Sequence, residues 1–168
     1  MAYRADVPVL LASTTLGSDT ATVNLTGIPS GYTNIEILVS VRSSAGAAQG
    51  AMDFAQMRFN SDTASNYGAG TSAGSQITVI RPITAVNWLT AAWSSGKIMI
   101  WDYASTTKHK YVHYNTTYNN STTGFNSVNY MDDAGVWKST TAVTSVQFTL
   151  ASGANYVTGS TFRIYGYP

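Results

Sequence analysis

Apolar residues recur at every second position over much of the chain. Ile35, Ile37, Val39 and Val41 do so, as do Val146, Phe148 and Leu150 around Gln147 and Thr149. Phe162 and Ile164 alternate with Arg163 and Tyr165. A period of two marks strands with one buried face. The continuous run Ile98-Met99-Ile100-Trp101 fits a strand covered on both sides. Helical spacing is nearly missing. Its best instance, with Met52, Ala55 and Phe59, overlaps a segment that also reads as strand, so at most a short helical turn is expected there.

The pattern predicts about ten strands, near 7–16, 20–25, 33–42, 54–59, 75–81, 97–103, 108–114, 135–140, 143–150 and 155–167. Gly17-Ser18-Asp19, Pro29-Ser30-Gly31, Asn60-Ser61-Asp62 and Ser152-Gly153 supply turns between them. Residues 61–74 and 115–129 read as loops, being rich in small and polar residues. Short strands without intervening helices mean an all-β fold. The expected architecture is one antiparallel β-sandwich domain over residues 1–168, jelly-roll-like.

Composition narrows the function. Charged residues are 10% of the chain, against about 25% in ordinary soluble proteins. Ser and Thr number 19 and 23 of 168 residues. The net charge of +1 excludes a nucleic-acid binder held by bulk electrostatics. Cysteine is absent, which removes disulfides, thiolate zinc sites and a Cys nucleophile. No secretory leader and no run of 18 apolar residues is visible, so a protein made in a cytoplasm is expected. Eleven Tyr and four Trp with so few charges suit a surface covered by partner chains.

Short motifs favour structure over catalysis. Gly70-Thr71-Ser72-Ala73-Gly74 matches a nucleophile elbow, but it lies in a Gly/Ala/Ser stretch where chance matches arise. His109 and His113 would face one metal on a helix. On a strand they stand roughly 13 Å apart, too far to share an ion. Tyr130-Met131-Asp132-Asp133 reproduces a polymerase metal motif, yet Asp132-Asp133-Ala134-Gly135 reads better as a turn. Glu36 is the only Glu and lies mid-strand. Asp19, Asp62, Asp132 and Asp133 fall in turn-like places. No catalytic residue, metal or cofactor is expected. The candidate binding residues are Tyr114, Tyr118, Phe125 and Tyr130, in and beside the 115–129 stretch. Rigid rings among Ser, Asn and Gly resemble a paratope in composition.

Several segments in order resemble a family of small virion proteins of tailed bacteriophages. They are Thr14-Thr15-Leu16-Gly17-Ser18-Asp19-Thr20 and Gly27-Ile28-Pro29-Ser30-Gly31-Tyr32-Thr33, the latter running into the Ile35–Arg42 strand. Arg58-Phe59-Asn60-Ser61-Asp62-Thr63 with Ser65-Asn66-Tyr67, then Ile100-Trp101-Asp102-Tyr103-Ala104-Ser105-Thr106-Thr107-Lys108, follow. Gly159-Ser160-Thr161-Phe162-Arg163-Ile164-Tyr165-Gly166 closes the series.

The resemblance implies a β-sandwich virion component without enzymatic activity. Its first expected role is capsid decoration: a homotrimer bound to the major capsid protein, cementing the shell. The alternative is a tail-associated receptor-binding or fibre-head protein that contacts tail proteins and a host surface glycan. A free-standing carbohydrate-binding module is the third. The chain shows no coiled-coil heptads to mount it on a tail, which favours decoration. Residues 1–12 are the expected docking arm, with Val7, Pro8, Val9 and Leu10 adding to a neighbour's sheet edge.

Overall fold

The computed structural model describes residues 7–46, 53–69, 72–81, 83–85, 91–119 and 128–168. Those residues are all-β, in two antiparallel sheets packed as a sandwich. The larger sheet holds β1 (Val9–Thr15), β3 (Asn34–Val41), β5 (Tyr67–Ala69), β6 (Ser72–Gly74), β8 (Ser94–Ile100), β9 (Lys110–Asn119), β10 (Val128–Trp137) and β12 (Thr161–Tyr167). Its order is β1-β12-β3-β8-β9-β10-β5-β6. The smaller sheet, built from β2 (Thr22–Thr26), β4 (Ala55–Phe59), β7 (Ile77–Thr78) and β11 (Ser145–Leu150), has the order β2-β11-β4-β7.

The two-residue period maps directly onto burial. Ile35, Ile37, Val39 and Val41 all point into the sandwich, as do Val146, Phe148 and Leu150 and their counterparts Phe162 and Ile164. Phe148 of the smaller sheet meets Phe162 of the larger with ring centroids 5.2 Å apart. At the other end Phe59 meets Trp137 at 5.3 Å. One cluster of buried residues runs through both sheets. Such burial is the main driving force available to a chain without disulfides.

The stretch after β6 lies across the inner face of the wide sheet. Ile77, Val79, Ile80 and Ile83 are fully buried there. Room for it comes from Gly96 and Gly135. A Cβ on Gly96 would stand 2.2 Å from Ile80, and one on Gly135 would stand 2.8 Å from Ile77.

Several expectations need correcting. Residues 61–74 are not wholly loop, because β5 and β6 form a small hairpin on the sheet edge. The described residues of the expected loop at 115–129 are strand: Asn115–Asn119 completes β9, and Val128 and Asn129 open β10. Their ladder is continuous from Val128↔Asn119 to Trp137↔Lys110. Asn disfavours strands in isolation, but backbone pairing overrides that preference. For the same reason Asp132-Asp133-Ala134-Gly135 is not a turn; it runs through β10. The strand expected at 75–81 is strand only at Ile77–Thr78, with Val79 and Ile80 still hydrogen-bonded to Ala55. That expected at 155–167 pairs continuously only from Thr161, with Tyr156 forming isolated bridges to Thr20 and Ser43. The turn at Asn60-Ser61 is present, with both residues at positive φ (51° and 56°).

Candidate functional site

Register places three rows of side chains on the outer face of the larger sheet. One row reads Leu10, Tyr165, Glu36, Met99, His113, Ala134 from strand to strand. The next reads Ser13, Arg163, Leu38, Lys97, Asn115, Asp132. The third reads Thr15, Thr161, Ser40, Ser95, Thr117, Tyr130. Diagonal neighbours in a sheet are within reach of long side chains. Two ion pairs use such diagonals: Lys97 with Glu36, and His113 Nε2 with Asp132 Oδ1 at 2.5 Å. His109 lies before β9 and is exposed.

The sequence candidates separate onto two faces. Tyr114 is in the core, 3% exposed, and burial pushes its hydroxyl up to about 12. It is not the surface contact expected of it. Tyr118 also faces inward and is 8% exposed, but it lines a cavity of about 240 Å³ with Trp93, Ala92 and Val128. Tyr130 stands on the outer face, 62% exposed. The cause is parity: Tyr114 and Tyr118 share one side of β9, while Tyr130 pairs with Thr117 on the other. Phe125 lies outside the described residues.

The arm residues fall where an edge would dock. β1 is the outermost strand beside β12, so its far side has no strand partner among the described residues. Val7, Val9 and Leu10 are 57%, 43% and 52% exposed. Val9 pairs with Gly166 and Leu10 with Tyr165, which puts their side chains on opposite faces. The start of β1 is therefore uncovered on both faces and along its edge. A β-bulge at Leu11 then shifts the register before Ala12.

A second cavity, of about 300 Å³, opens beside this arm. Pro8, Glu36, Leu38, Tyr165 and Tyr167 line it. Glu36 is the one outer-face residue of β3 that is buried, with its side chain 8% exposed. Its carboxylate pairs with the Lys97 ammonium, and its charge reaches the Tyr167 hydroxyl. Hydrogen bonding to Glu36 raises Lys97 above the usual lysine range. Burial raises Tyr167, and the Glu36 charge adds to this. Sequence reasoning singled out Glu36 only as an isolated carboxylate, and Lys97, Tyr165 and Tyr167 not at all. The available signal was the shared parity of Tyr165 and Tyr167 on a strand whose alternate residues are core.

No family model, curated protein or solved structure matches the chain. The Gly70–Gly74 motif lacks the context its chemistry needs: Ser72–Gly74 is strand β6, which turns into β7 rather than into a helix. Among the described residues, the β1 end offers a backbone edge without a strand partner, with apolar flanks, and a cavity beside it that Glu36 lines.

Proposed function

We propose that the protein is a structural component of a tailed-bacteriophage virion, and that it decorates the assembled capsid shell as a homotrimer. The observation that carries this reading is the start of β1. An edge strand exposed on both faces, with Val7, Val9 and Leu10 uncovered, invites pairing with another chain. Proteins that stay alone usually blunt such an edge with charge or cover it.

Topology adds support by analogy. Successive strands β1, β2, β3 and β4 alternate between sheets, as do β7 and β8, and β11 and β12. We read these eight as a jelly roll, with β5–β6 and β9–β10 as additions that widen one sheet. Jelly rolls recur in viral capsid and lectin domains, and a fold alone does not assign a function. Decoration would act by mass action: a protein that binds only the assembled shell stabilises it, and many sites multiply the effect.

The test is the copy number of the chain in purified virions, by mass spectrometry against the major capsid protein. Hundreds of copies are expected for decoration. A handful would instead place it on the tail, and absence would overturn both roles. Deleting residues 2–8 is expected to abolish binding to bare shells while the chain stays folded. Unchanged binding would rule the arm out as the docking element.

A further inference from the structure

Glu36 is the only Glu of the chain, and it occupies an unusual place. It lies on the solvent face of a central strand, yet its side chain is 8% exposed. Desolvating a carboxylate is costly, and an ion pair with one half-exposed partner offsets little of that cost. Lys97 is such a partner, its side chain 46% exposed. Threonine or valine would serve the sheet better at this position. The carboxylate is nonetheless kept and lines the cavity beside Pro8.

The lining specifies a ligand type. Glu36 and Lys97 neutralise one another, so the site has no net charge with which to attract an ion. An anion would find the lysine already engaged, and a cation would have to displace it. An apolar ligand would strip a buried carboxylate of water without replacing its hydrogen bonds. What remains is a neutral molecule with both hydroxyl groups and apolar C–H faces. Tyr165 and Tyr167 sit two apart on β12, on one side of the strand, so both present amphipathic rings. Leu38 and Pro8 add apolar walls. The carboxylate and the two phenols together offer acceptors and donors to hydroxyls. The volume of about 300 Å³ stands at the small end of roughly 300–1,000 Å³ for ligand sites. That suits one sugar ring rather than a chain of them.

We propose that the Glu36–Tyr167 cavity binds the pyranose ring of a neutral saccharide, with Glu36 accepting from a ring hydroxyl, a tyrosine hydroxyl donating, and the tyrosine rings packing on the sugar. The inference does not rest on shell docking, and it concerns a different surface from the Tyr118 and Tyr130 positions.

The experiment uses the isolated full chain. Methyl glucoside, methyl galactoside and methyl mannoside are titrated with saturation-transfer NMR as the readout. Saturable binding of at least one is expected. Glu36→Gln, which keeps the side-chain shape, should weaken it at least tenfold. Tyr167→Phe should weaken it several-fold, and Tyr111→Phe, exposed elsewhere on the same face, should leave it unchanged. If Glu36→Gln fails to fold, Tyr167→Phe decides. The proposal is overturned if none of the three glycosides binds, or if the folded variants bind like the unaltered chain. It is also overturned if N-acetyl-arginine amide saturates the site in their place, which would make it a pocket for a cationic side chain.

Discussion

At the scale of single residues, the acidic side chains act as local organisers. Asp62 accepts from Trp137 Nε1 at 2.7 Å, Asn66 Nδ2 at 2.9 Å and the Ala64 backbone N–H at 2.9 Å. It thereby ties the turn after β4 to the buried indole of β10. The Asn66 bond, then the Trp137 and Ala64 bonds, hold its carboxyl below the usual aspartate range. A carboxyl depressed in the folded state stabilises above its unfolded pKa of about 4, and the gain is lost as pH falls through the folded value. The unaltered chain should therefore be more stable than Asp62→Asn at pH 6, and the gap should close as urea unfolding is repeated down to pH 2. A gap independent of pH would refute the assignment. Asp53 does similar work in the interior, accepting from Ser43 Oγ at 2.5 Å, Ser152 Oγ at 2.7 Å and the Phe54 N–H at 2.9 Å. Three segments distant in sequence meet on that one carboxylate.

At the scale of elements, close approach decides where glycine is required. Gly166 sits on the inner side of β12 beneath the ring of Tyr32. A Cβ there would lie 2.6 Å from Cγ of that ring and 2.8 Å from both Cδ atoms, so the whole ring would have to move. Gly166→Ala is expected to cost about 1–3 kcal/mol in chemical denaturation, the range for overpacking. Gly31→Ala, with nothing within 4 Å, is the control and should be near neutral. The β9–β10 hairpin teaches a complementary lesson. Its strands are rich in Asn, Thr, Tyr and Asp, and composition alone makes them look like loop. Their ten-residue ladder forms because alternate residues exchange backbone hydrogen bonds across the pair, and the others turn to the flanking strands β8 and β5.

At the scale of the molecule, the sandwich is asymmetric. Among the described residues the larger sheet has eight strands against four, so its outer face is the broadest surface of the sandwich. Among the described residues, large exposed apolar side chains stand at the start of β1, at Trp101 and Tyr111, and at Val128 and Tyr130. Leu10→Lys changes a side chain that is 52% exposed. Its unfolding free energy should stay within about 0.5 kcal/mol of the unaltered chain, as for surface substitutions generally. On the proposed decorating role, its binding to bare shells should fall sharply, because a charge blunts an edge strand. Lost stability with retained binding would mean that β1 serves the fold and not a partner.

Much of this molecule was legible without coordinates. The alternation of Ile35, Ile37, Val39 and Val41, and of Phe162 and Ile164, determined strands, their buried side and an all-β class. Alternation is a property of the chain's own stereochemistry, since successive side chains on a strand must point to opposite faces. What only the tertiary structure decided is which strand lies beside which. Glu36 comes to floor a cavity because β12 lies beside β3 and β8 lies on the other side, bringing Tyr165, Tyr167 and Lys97 around it. Tyr114 is core and Tyr130 is surface because β9 and β10 pair in one register and not in the neighbouring one. Register depends on residues far apart in sequence, and a slip of one position exchanges the faces of a whole strand.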